Sequence, residues 1–139
     1  MKKFLTYSLA MLLIFSMLFA LTSCGAKPNS DPDKAVEALK AANYEDVAKK
    51  DSRGYSYLKI DDLEWHVGGI RTVDGKCDWV EIYYFKDAAA ADAAWDTLQE
   101  EANSWFEGAN EADYGSAFVC KKSGNMVYYG TKNGVADAK

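Results

Sequence analysis

The chain has a single histidine, His66, in 139 residues, and cysteine only at positions 24, 77 and 120. A metal centre built on several imidazoles is therefore excluded. The acids do not replace it: Asp61-Asp62-Leu63-Glu64 lacks the alternating ligands and the glycine of a calcium loop. No glycine-rich phosphate loop is present, and Gly68-Gly69 sits inside a strand pattern, where a bulge or close packing accounts for it. No Ser, His and Asp trio shows a spacing signal, and a Cys77 nucleophile would have to borrow the same lone His66. His66 can be read as a general base beside Glu64 or Glu81, or as a metal ligand. The reading adopted is a surface strand histidine packed on Tyr83. Basic residues are the minority, 16 against 21 acidic, which argues against nucleic acid as a partner. The expectation is a non-enzyme with no metal and no cofactor.

Long apolar runs are scarce as well. The one present, residues 4–20, follows Lys2 and Lys3 and ends at Leu21-Thr22-Ser23-Cys24. A charged start, an apolar middle and small or polar residues at the end are the parts of an export signal. A plain transmembrane helix over residues 4–22 is the competing reading, since about 20 apolar residues span a bilayer. Leu-Thr-Ser-Cys resembles the lipobox of bacterial lipoproteins, in which an aliphatic residue and two small or polar positions precede an invariant cysteine. That resemblance implies cleavage after residue 23, acylation of the Cys24 sulfur, and a mature chain lipid-anchored on the extracytoplasmic side of the cell membrane. Two acyl chains suffice for stable anchoring.

Without residues 1–23, 116 residues remain, enough for one core. Losing Lys2 and Lys3 leaves 14 basic against 21 acidic side chains, a formal charge of −7. Anionic headgroups would repel such a body, so the lipid and no basic patch is expected to make the membrane contact. Residues 24–31, short, polar and carrying Pro28, read as a tether, and residues 32–139 as a single domain.

Within that domain Asp31 and Pro32 signal a helix start, and Ala35, Val36, Leu39 and Ala42 recur at helical spacing. Residues 44–49 alternate weakly as an edge strand, with Lys49 and Lys50 discouraging further pairing. Residues 51–62, with Tyr55, Tyr57 and Leu58 partly buried, read as an irregular crossing with a short strand. Asp74-Gly75 supplies the positive φ angles of a type I′ hairpin between residues 64–73 and 76–85. Its register places Val73, Arg71, Gly69, Val67 and Trp65 opposite Lys76, Asp78, Val80, Ile82 and Tyr84 on a core side. The other side pairs Thr72 with Cys77, Ile70 with Trp79, Gly68 with Glu81, His66 with Tyr83 and Glu64 with Phe85, a mixed and aromatic surface. Asp87 caps a second helix from Ala88 to about Phe106, whose stripe of Ala91, Trp95, Leu98, Ala102 and Trp105 should lie on the sheet. A second hairpin turns at Ser123-Gly124, putting Cys120 opposite Val127 and Phe118 opposite Tyr129. Thr131 caps a last helical turn.

The sum is an α+β domain of order αβββαββ, an antiparallel sheet of four or five strands with two helices on one face. In this outline, including Tyr83-Tyr84-Phe85-Lys86-Asp87 before an alanine-rich helix and the closing Tyr129-Gly130-Thr131, it is similar to small uncharacterised lipoproteins of Gram-positive bacteria, a likeness that implies no function. Three functions stay open. A binding module would meet a peptide, glycan or partner protein on an open face around Trp79, Tyr83, His66 and Ile70. An accessory subunit would bury that face against another copy or an envelope complex. An enzyme would have to rely on His66. The plain alternative is that both sheet faces are covered. Once Cys24 carries lipid, two cysteines remain in an exported chain, and a Cys77–Cys120 disulfide is expected; otherwise both are small buried hydrophobes.

Overall fold

The computed structural model describes residues 25–51 and 60–139. The leader, the Leu21-Thr22-Ser23-Cys24 motif and the crossing at 52–59 lie outside the described residues. Helix α1, Pro32–Ala41, begins as its cap predicts, with Asp31 accepting from the Asp33 N–H at 2.9 Å and Pro32 in the first turn. Asn43, at φ 61°, turns the chain into the edge strand β1, Glu45–Asp51. Strands β2, Leu63–Val73, and β3, Lys76–Phe85, form the long hairpin. Asp74 and Gly75 both have positive φ, 52° and 77°, as a type I′ turn demands. Helix α2, Ala88–Gly108, is capped by Asp87. A 3₁₀ turn, Glu111–Asp113, leads to β4, Phe118–Ser123, and β5, Met126–Thr131. Thr131 then caps α3, Lys132–Asp137, through the Gly134 N–H. The five strands are antiparallel in the order β1-β2-β3-β5-β4.

The first hairpin keeps the predicted register from Val73↔Lys76 to Trp65↔Tyr84. It departs beyond, where Glu64 is bulged out and Leu63, not Glu64, stands opposite Phe85. The bulge turns Leu63 into the apolar layer and leaves the carboxylate in water. In the second hairpin the turn is Gly124-Asn125 in place of Ser123-Gly124, so Cys120 pairs with Tyr129 and Phe118 with Thr131. Because the slip is two residues, each side chain keeps its face.

The helices do not share a face. Ala35 and Leu39 of α1 and Val135 of α3 pack with Val67, Val80, Ile82, Tyr84, Met126 and Tyr128 on the first face. On the second, Ala91, Ala94, Leu98 and Ala102 of α2 pack with Tyr83, Phe85, Val127 and Tyr129. The reason lies in β3 and β5, which alternate apolar with apolar, so both faces need cover.

On the first face Arg71 joins three elements. It pairs with Asp137 of α3 at 2.7 Å and with Asp78 of β3 at 3.3 Å, and it donates to the Ala42 carbonyl at the end of α1 at 2.9 Å. Its guanidinium lies 4.6 Å from the Tyr44 ring, and the Tyr44 hydroxyl donates to Asp137. Burial pushes the Tyr44 phenol well above its ordinary value. Gly130 and Gly134 let α3 close on β3, since a Cβ at either would stand 2.3 Å from the Trp79 carbonyl oxygen.

Arg71→Met should therefore strand the buried Asp78 carboxylate and lower stability by about 3 kcal/mol, read from the urea midpoint at unchanged slope.

Candidate functional site

Helix α2 covers the second face over β5, β4 and the far half of β3, and leaves the rest of that face open. There the sheet floors a cavity of about 410 Å³. The strand alternation fixes its floor: Ala48 of β1, Gly68 and Ile70 of β2, and Cys77, Trp79 and Glu81 of β3 project to the same side. Trp105, near the end of α2, and Tyr114, just after the 3₁₀ turn, wall one flank, with Tyr129 at the base. Asp46 and Lys50 of the edge strand stand at the other flank.

Trp79 is the central ring. Its centroid is 6.5 Å from Trp105, 6.3 Å from Phe106 and 5.6 Å from Tyr129, the last edge-on. Such tilted contacts favour the positive ring edge over the negative face and hold the indole in one orientation. Trp105 is 58 % exposed, and its ring nitrogen donates to Glu101 at 3.1 Å.

The polar group of the floor is Glu81, whose carboxylate meets His66 Nε2 at 2.5 Å. Glu81 does not stand directly opposite His66, since its cross-strand neighbour is Gly68. A Cβ on Gly68 would lie 2.7 Å from Glu81 Oε2. The missing side chain is what lets the carboxylate cross to the imidazole. The ring of His66 packs on Tyr83 as expected, 4.8 Å away, but it is buried and not at the surface.

Of the residues expected to form a binding face, the structure brings His66, Ile70 and Trp79 into the cavity. Tyr83 is corrected: it lies under α2, wholly buried, with its hydroxyl 3.0 Å from that of Tyr129. Glu81 was named in the sequence only as an alternative to Glu64 beside His66 and was left out of the binding face; the structure gives the contact to Glu81. Trp105 was missed as a site residue. It was assigned to the buried stripe, which in fact ends at Ala102.

The Cys77–Cys120 disulfide is also corrected. Both thiols are free and only half-buried. They share a face, but β5 separates their strands and Cys120 is level with Glu81, four residues from Cys77. That is roughly 10 Å sideways and 13 Å lengthwise, against a Cα separation of about 7 Å or less for a bridge. Burial pushes the Cys120 thiol up to about 11, and burial followed by the Asp78 charge raises that of Cys77.

No hydroxyl nucleophile from Ser or Thr lines the cavity among the described residues. Cys77 is also four positions along β3 from Glu81 and so about 13 Å from the His66 contact. The arrangement offers an aromatic and aliphatic surface with one oriented carboxylate, suited to holding a molecule by stacking and hydrogen bonding. No group of three or more His, Cys, Asp or Glu among the described residues is placed to hold a metal ion. No protein-family model matches the chain, and no curated protein or solved structure matches it significantly.

Two aromatic truncations should separate floor from foundation in urea unfolding. Tyr83→Ala is expected to cost about 3–5 kcal/mol as a buried aromatic, and Trp105→Ala no more than about 1 kcal/mol. Alkylation without prior reduction should add two groups to Cys77 and Cys120. Because its pKa is raised to about 11, Cys120 should keep gaining reactivity between about pH 10 and 11, where an ordinary thiol has levelled off.

Proposed function

We propose that the chain is an exported lipoprotein, held on the extracytoplasmic side of the cell membrane by lipid on Cys24, whose domain binds a ligand in the cavity of the second sheet face. The anchor rests on the order of charged start, apolar run and Leu21-Thr22-Ser23-Cys24. Among the described residues no helix is long and apolar enough to cross a membrane. The observation that carries the binding reading is the part of the second face that no other described residue covers, a cavity lined by Trp79, Ile70, Trp105 and the Glu81 carboxylate. Rigid aromatics give large contact area at low entropy cost, which fits a peptide, a glycan or a segment of a partner protein. An accessory role, with the same face packed on an envelope complex or a second copy, is favoured by the exposure of Ile70 and Trp105, which line the opening. The proposal is one of binding: among the described residues lining the cavity no Ser or Thr hydroxyl stands beside the His66–Glu81 pair.

Replacing Cys24 by Ala should abolish lipid labelling and leave uncleaved precursor or release the protein from membranes; a variant cut and retained like the parent would refute the anchor. The four indole N–H signals in an NMR titration with short peptides and oligosaccharides test the cavity. Binding there moves Trp79 and Trp105 and leaves Trp65 and Trp95 in place. Movement of Trp65 or Trp95 alone, or of none across the panel, would remove the binding reading. Concentration-dependent sedimentation would then identify self-association.

A further inference from the structure

The tether does not hang free. Residues 25–31 lie along the first sheet face, opposite the cavity: the Asn29 N–H donates to the Ala138 carbonyl at 2.7 Å, the Tyr84 hydroxyl donates to the Asn29 carbonyl at 2.8 Å, and Pro28 is buried. At its start Gly25 meets β4, since a Cβ there would stand 2.5 Å from Lys121 Nζ. One peptide unit, about 3.8 Å between Cα atoms, separates Gly25 from Cys24. A lipid on Cys24 is thus held close to one particular surface of the domain.

That surface is basic in an acidic protein. Lys27 belongs to the tether, Lys121 touches its first residue, and Lys139 lines a shallow cleft beside it. All three are exposed. Two acids that follow or precede these residues in the chain have partners of their own, Asp31 as the cap of α1 and Asp137 with Arg71. The other side of the molecule has the opposite sign. From Asp87 through Cys120, a stretch that includes the whole of α2, there are eight acidic residues and no basic one. The formal charge of −7 thus hides a division between two faces, and the sequence-level expectation of repulsion from headgroups applies only to the α2 side.

We propose that the tether face, with Lys27, Lys121 and Lys139, lies on the anionic headgroups of the membrane, so that the lipidated domain has a fixed orientation with the cavity and α2 turned outward. The inference rests on acylation of Cys24 and not on what the cavity binds. A lysine near an anionic surface favours contact by about fivefold, so three favour it by on the order of a hundredfold. Salt screens that attraction within about a nanometre.

Hydrogen–deuterium exchange of the full-length protein extracted from membranes and reconstituted in vesicles tests this. On phosphatidylglycerol vesicles the amides of residues 25–31 and 132–139 should exchange at least about fivefold more slowly than on phosphatidylcholine vesicles. High salt, or Lys27→Glu, Lys121→Glu and Lys139→Glu together, should abolish the difference. Equal exchange on the two lipids, or protection of Ala88–Gly108 instead, would overturn the orientation. Intact mass of the same sample separates the two layers: absence of lipid on Cys24 sinks the anchor and the orientation with it, whereas an acylated chain with no lipid-dependent protection sinks the orientation alone.

Discussion

The arrangement of every layer depends on β3 being apolar on both sides. Val80, Ile82 and Tyr84 point one way, and Trp79, Tyr83 and Phe85 the other. A central strand with two greasy faces cannot be satisfied by helices stacked on one of them, because leaving the second face in water forfeits about 25 cal/mol for each Å² of apolar surface. The chain answers with α1 and α3 on the first face and α2 on the second. The second cover is incomplete, because α2 buries no residue beyond Ala102 and does not reach β1. The cavity is the part of that face it leaves open.

Local signals were legible in the sequence where a single conformation was demanded. Asp74-Gly75 admits one turn type, and from it followed nine cross-strand pairs and the face of each residue in them. The caps at Asp31, Asp87 and Thr131 were equally readable, because a short oxygen-bearing side chain before a helix has one use there. Ser123-Gly124-Asn125 was ambiguous, since glycine or asparagine can each take positive φ. The chain resolved it by two residues, at no cost to the facing pattern. The distribution of helices was not legible, because periodicity shows which side of a helix is apolar and not which side of the sheet it meets. Trp105 was missed for the same reason. It is in phase with the buried stripe but lies near the end of a helix of about 31 Å, where being in phase no longer places a residue over the sheet.

Arg71 and Glu81 illustrate two uses of charge in one sheet. Arg71 is surrounded by Asp78, Asp137 and a carbonyl, and its work is to bind α1, β2, β3 and α3 into one unit. Glu81 has His66 as its neighbour and a side chain about one third exposed to the cavity. A carboxylate in that position is oriented but not consumed by the fold, which is why the site can be read apart from the scaffold.

Gly68 and Glu81 also carry a consequence for descent. The glycine is the space through which the carboxylate reaches the imidazole, so the two positions cannot drift independently. A lineage that acquired a side chain at position 68 would have to shorten position 81 or surrender the contact with His66. Either step would leave the sheet intact while changing the chemistry of the cavity floor. Divergence of ligand within such a lineage would therefore be written as paired substitutions at these two facing positions, with the aromatic flank retained.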